Sequence, residues 1–238
     1  MIRIQLKRLH KTKGFYLTTL LMLVICGDQY YNYVFSSTPE KSLSQMLAHM
    51  YNGYGFVAMA ALLGFLSSAF IHQKGDLSLV PVLKDKAKVI LSKFYALFIH
   101  MFFFELITSA AGIVGCFVIP NVTVSVDEIH YIGFMALVTL LTYLFLCGTF
   151  TLISTIFKDE LLCDIIGVVI ACLPILEILL LNLTGIDITS FTLMSSFYSI
   201  GSEVNVYQGL LCGLLGLLYT IACMLIASII VRRRDLKK

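Results

Sequence analysis

Tryptophan is absent from this 238-residue chain, and charged residues make up only 13% of it. A soluble domain carries about 25% charged and 45–50% apolar residues. Here 59% are hydrophobic. So little charge does not cover the surface of a water-soluble domain, and the class shifts to membrane protein. Without Trp, anchoring at the membrane–water boundary falls to Tyr and Phe. The signatures of several chemistries are missing too. There is no H-E-x-x-H, no G-x-S-x-G, no adjacent glutamate pair and no G-x-x-x-x-G-K-[ST] loop. The chain therefore cannot bind ATP through a phosphate loop of its own, and an intramembrane enzyme has little support. The seven cysteines, Cys26, Cys116, Cys147, Cys163, Cys172, Cys212 and Cys223, form no C-x-x-C pair. They lie in or beside apolar runs and read as small hydrophobic filler.

What is present is a series of long apolar stretches. A helix crossing a bilayer needs about 20 mainly apolar residues. Six stretches qualify: 15–35, 51–71, 94–119, 131–157, 161–183 and 206–231. The runs are continuous rather than alternating, which argues against a membrane β-barrel. The expectation is an all-α integral membrane protein, one transmembrane domain over 1–238, with six spans. The first stretch has the basic start of a signal peptide but no small-x-small site. It ends in Tyr30, Tyr31, Tyr33 and Phe35, so it reads as a retained helix.

Lysine and arginine orient the spans. Sixteen of the seventeen lie before span 1, between spans 2 and 3, at Lys158, or after span 6; Lys41 is the exception. The opposite connections carry Glu40, Asp127, Glu128, Asp187 and Glu203. An even number of spans with both termini cytoplasmic satisfies this pattern.

Three connections stand out. Residues 1–14 place Ile2, Leu6 and Leu9 at helical spacing with basic residues on the other face. That describes either an amphipathic helix on the inner leaflet or the positive flank of span 1. Residues 72–93 are too long for a turn and too apolar for a plain linker, and Pro81 divides them. They read as a surface helix followed by a second helix entering span 3. Residues 184–205 are semi-apolar and rich in Ser and Thr. They are expected to form short re-entrant helices between spans 5 and 6.

Acids inside spans are functional candidates by default. Asp28 and Asp164 sit near span ends, within reach of water. Glu105 and Glu177 lie deeper, and with His100 and Asp28 they are candidates for a cavity or substrate path. His100 and Glu105, five apart, are separated by about 140° on a helix, which argues against a metal pair. Gly209, Gly213 and Gly216 put small residues on one stretch of span 6, as do Gly112 and Gly115 on span 3, for close packing within the bundle or between chains.

This layout resembles the permease subunit of bacterial ABC-2 type exporters, particularly small members that export peptides or confer bacteriocin immunity. The resemblance covers the whole chain but rests on topology. The N-terminal amphipathic segment, the 72–93 loop, the stretch before span 6 and the terminal Arg232-Arg233-Arg234-Asp235-Leu236 carry it. It implies that Asp76, Leu77, Leu79, Val80, Val82, Leu83 and Lys84 dock a separate ABC ATPase. In that family a Glu often begins this coupling helix; here only Asp76 is available. The resemblance further implies a second permease chain, identical or sister. It implies a lipid-embedded, multi-pass location in a bacterial plasma membrane and an amphipathic or lipophilic substrate such as an antimicrobial peptide. No cofactor is expected in this chain, ATP and Mg being held by the partner, and no nucleic acid. The rival readings are a secondary transporter using Glu105 and Glu177, and a membrane assembly protein without transport activity.

Overall fold

The computed structural model describes residues 2–35, 41–42, 54–73, 86–118, 122–123, 126–185 and 206–235. In chain order these form α1 (Ile2–His10), α2 (Phe15–Val34), β1 (Lys41–Ser42), α3 (Tyr54–Ile71), α4 (Lys86–Val118), β2 (Val122–Thr123), α5 (Val126–Ile156), α6 (Glu160–Ala171), α7 (Leu173–Thr184) and α8 (Val206–Asp235). Among the described residues, three stretches are long and apolar enough to cross a membrane: Lys86–Ala111, Ala136–Ile156 and Leu211–Arg233. The pair α6 and α7 makes a fourth if it counts as one bent span, and Gly55–Ile71 is apolar but shorter. The chain is a helical membrane protein.

The helix limits follow local chemistry. Asp159 caps α6, its carboxylate accepting the Leu161 N–H at 3.0 Å. Gly185 ends α7 at φ 71°, a left-handed geometry that favours glycine, and its N–H returns to the Leu181 carbonyl at 2.8 Å. The stretch 161–183, expected as one span, is two helices bent by 50°. Pro174 explains the break. It has no N–H to donate, and its ring clashes with the carbonyl one turn earlier, so the helix stops at Ala171 and restarts at Leu173. At the third expected span, the helix starts at Lys86 rather than 94. The basic stretch 86–93 thus continues the apolar helix.

Side-chain contacts set the direction of each helix. Thr19 meets His100, and the Tyr30 hydroxyl donates to the Thr108 carbonyl at 3.0 Å, so α2 and α4 run the same way. The end of α3 meets the early part of α4, the end of α5 and the start of α6 through Lys93, His72 and Ser68. Gly148 lies against Thr220 and Gly213 against Leu141, so α5 and α8 run parallel. Successive long helices therefore alternate in direction, with α6 and α7 taken together as one unit. Parallel pairing of Lys41 with Val122 and Ser42 with Thr123 joins the connection after α2 to that after α4 at the opposite end.

α5 is the hub, packed against α3, α4, α6 and most extensively α8. Its buried Thr142, Thr149 and Thr155 return their hydroxyls to carbonyls four residues back, at 2.9, 2.9 and 2.7 Å. This internal bonding lets a polar side chain sit in the core without an unmet group. Phe150 fills the space between Gly64 of α3 and Gly167 of α6. A Cβ at Gly64 would lie 3.3 Å from its ring. Cys26, Cys147, Cys163, Cys212 and Cys223 are buried.

At Gly213 an added Cβ would come within 2.6 Å of Leu141 Cδ1, the flexible end of a side chain. We expect Gly213→Ala to shift stability by no more than about 1 kcal/mol. The leucine can turn, and alanine regains about 1 kcal/mol of helix propensity over glycine. Thermal unfolding in detergent checks this.

Candidate functional site: a cleft between α1, α2 and α4

The N-terminal segment forms a separate helix, α1, joined to α2 by a tight elbow. Thr12 N–H bonds to the Leu9 carbonyl and Phe15 N–H to the Thr12 carbonyl. Gly14 takes φ 80°, where a Cβ would be strained, and so lets the chain turn between the two helices. α1 packs on α4. Its buried face is Gln5 and Leu9, continued by Thr12 in the elbow, while Ile2 and Ile4 stay exposed. The face expected from Ile2, Leu6 and Leu9 is thus shared. Leu9 goes into the protein, Leu6 lines its edge, and Ile2 is left outward. The Gln5 amide is buried with no hydrogen-bond partner among the described residues.

The elbow leaves a cleft of about 470 Å³ between α1, α2 and α4. That falls in the range of small-molecule sites, about 300–1,000 Å³. Leu9, Phe15 and Phe104 form its buried floor, and Tyr16, Phe103 and Ile107 its exposed rim. Leu6, Leu23 and Ile99 complete the apolar wall. The cleft therefore opens sideways, away from the bundle axis.

The polar groups in this cleft are few. Phe15 lies between two imidazoles, edge-on to His10 at 4.6 Å and tilted against His100 at 4.8 Å. His100 Nε2 is 3.4 Å from Thr19 Oγ1, and the Thr19 hydroxyl donates to the Phe15 carbonyl at 2.8 Å. A hydroxyl has one proton. With that proton on the carbonyl, the Thr19 oxygen accepts, and His100 must carry its proton on Nε2. The arrangement presents an apolar slot with two aromatic nitrogen rings. It holds no paired carboxylates and no nucleophile–base pair. Among the described residues no group of three His, Cys, Asp or Glu side chains is placed to hold a metal ion.

The other sequence candidates lie elsewhere. Glu105 is buried on α4 away from the cleft lining, and Ser109 donates to its Oε1 at 3.0 Å. Glu177 is buried although its neighbours Leu176, Ile178, Leu179 and Leu180 are exposed. Asp28 is exposed and accepts from Asn32 at 3.0 Å. None of these three acids lines the cleft in which His100 lies. Asp164 lies beside Ser68, Glu160 and His72 at the other helix junction. Gly213 meets Leu141, and Gly216 is buried on α8, where its carbonyl accepts from Thr220 at 2.7 Å. Gly209 is within α8. The docking residues Asp76, Leu77, Leu79, Val80, Val82, Leu83 and Lys84 lie outside the described residues, as do residues 186–205 of the re-entrant stretch expected over 184–205.

Sequence reasoning missed the junction where α3, α4, α5 and α6 meet. Lys93 is fully buried there, and its ammonium donates to the Phe70 and Ile71 carbonyls, each at 2.9 Å. The Phe70 ring centroid is 5.2 Å away. His72 places Nδ1 2.9 Å from the Ser68 carbonyl and Nε2 3.0 Å from the Phe157 carbonyl. A neutral ring donates to one of these, an imidazolium to both.

No family model, no curated protein and no solved structure matches this chain.

Proposed function

We propose that this chain is the membrane subunit of an ATP-driven exporter of the ABC-2 type. It would have six spans and both ends in the cytoplasm of a bacterial cell. The observation that carries the reading is the collection of positive charge at one end of the bundle. The alternating helices bring α1, the start of α4, Lys158 and the Arg232–Arg233 end of α8 to the same end. Lys41 pairs with Val122 at the opposite end. A basic end is the cytoplasmic one under the positive-inside rule. The elbowed α1 adds to the resemblance, being a separate amphipathic helix at that end.

On this reading the chain supplies no catalytic residue. The 72–93 connection docks a separate ATPase, two permease chains pair, and nucleotide-driven closure of the ATPases shifts the pair between two states. An amphipathic or lipophilic substrate crosses because it binds the two states differently. The test is co-purification. A tagged chain is expected to retain a soluble ABC ATPase from its own membranes. Replacing Leu79, Val80 and Leu83 by Asp is expected to reduce that yield at least about tenfold at equal membrane level, since three charges replace the apolar contact. Retention of the ATPase by the triple variant sinks the docking assignment, and absence of any ATPase sinks the exporter reading.

The burial of Glu105 and Glu177 favours a second reading, an ion-coupled carrier. Glu105→Gln and Glu177→Gln would then abolish transport; neutral effects of both would leave them as packing residues.

A further inference from the structure

We infer that the cleft between α1, α2 and α4 is a binding site for one anionic phospholipid, with an acyl chain in the slot and the phosphate on the basic residues of α1 and its elbow. This goes beyond the exporter reading and does not depend on it.

Two independent features point to that occupant. The first is shape and polarity. The floor is Leu9, Phe15 and Phe104, and the slot opens sideways past exposed Tyr16, Phe103 and Ile107. In a helical membrane protein an apolar cleft that opens away from the bundle is a place for hydrocarbon rather than water. A linear apolar chain therefore reaches it without crossing a polar barrier.

The second is charge. Arg3, Lys7, Arg8, Lys11 and Lys13 fall next to or among the lining residues Leu6, Leu9, His10 and Phe15 in sequence, and the first acid in the chain is Asp28. Arg3, Lys7, Lys11 and Lys13 are exposed. The elbow at Gly14 keeps the two features together. It holds the basic helix beside the slot, because Leu9 and Gln5 anchor α1 to the bundle. A zwitterionic lipid fills the slot equally well but gains little from the cations. Each Lys or Arg near the surface favours an anionic headgroup. His10, on the cleft wall, is the ring nearest this basic segment in sequence.

The lack of tryptophan makes the test direct. Tyr16→Trp installs a single tryptophan at the exposed rim, excited apart from the remaining tyrosines. The full-length protein, purified in detergent, is titrated with phosphatidylglycerol carrying brominated chains, and separately with the phosphatidylcholine of the same chains. Quenching by the phosphatidylglycerol is expected at a roughly tenfold lower mole fraction. Adding Lys7→Gln, Lys11→Gln and Lys13→Gln should erase that preference while leaving thermal unfolding unchanged, since these side chains are exposed. Equal quenching by the two lipids overturns the headgroup assignment. No quenching by either overturns the slot. Displacement of the lipid by millimolar inorganic phosphate overturns the lipid assignment in favour of a free-anion site. A preference that survives the triple substitution shows that these lysines do not hold the headgroup and overturns the proposal.

Discussion

Lys93→Met is expected to destabilise the protein by about 3 kcal/mol, seen as a fall of roughly 6–12 °C in the detergent unfolding midpoint for a chain of this size. Methionine keeps most of the side-chain stem but loses the ammonium that lies 5.2 Å from the Phe70 ring centroid. That ammonium donates to the last carbonyls of α3. Those carbonyls lie where the helix dipole is negative and intrahelical partners run out. Hydrogen bonds from a charged donor are each worth about 1.5–3 kcal/mol, and the acceptors stay buried once the donor is gone. Lys93 is fully buried, so water cannot take its place without rearrangement. Lys88→Met, on an exposed position of the same helix, should change the midpoint by no more than a degree or two. A small effect at Lys93 would show that the α3–α4 junction is held by apolar packing alone.

Gly148→Leu is expected to disrupt the α5–α8 interface by more than about 3 kcal/mol, beyond the usual 1–3 kcal/mol of overpacking. Even a single Cβ at this position would lie 2.9 Å from Thr220 Cγ2 and 3.4 Å from its backbone Cα. The side-chain methyl can yield a little; the backbone can move only with the whole of α8. Thr220 is itself tethered, its hydroxyl donating to the Gly216 carbonyl at 2.7 Å. Gly148→Ala meets the same wall with one atom, and the gain of about 1 kcal/mol in helix propensity offsets part of the cost. The order of stability should be wild type, then Gly148→Ala, then Gly148→Leu, measured by monodisperse recovery in detergent and by unfolding midpoint. The opposite order would mean that α5 and α8 do not approach at this glycine.

These two positions also mark where sequence reading stops. Lys93 reads as one more cation in a basic connection, and its charge counts correctly toward that end of the bundle. Its burial follows from α4 starting at Lys86 and from α3 ending beside it, neither of which a hydropathy profile contains. Gly148 carries no motif. The run of small residues on span 6 drew attention to Gly209, Gly213 and Gly216 instead, and of these Gly213 meets a side chain that can turn, not a backbone. His100 was legible as a polar residue in an apolar helix. That Thr19 and Phe15 would meet it was not, because the elbow at Gly14 depends on where α1 finds a surface. Pro174 stands in the sequence, but 161–183 reads as a single apolar span, and neither the break nor its 50° angle was drawn from it.

By itself the sequence determined that this chain is a bundle of apolar helices, roughly where each begins and ends, and how its charges are distributed among the connections. Those properties belong to contiguous residues. Apolar run length, the backbone's need to satisfy its hydrogen bonds and the habits of Gly and Pro act over a few turns of helix. Only the tertiary structure decided which buried lysine holds a helix end, which glycine admits a neighbouring backbone, and that α1 folds back to leave a cleft. Those outcomes join residues tens of positions apart, and their energies depend on distances of a few ångströms that no local pattern encodes.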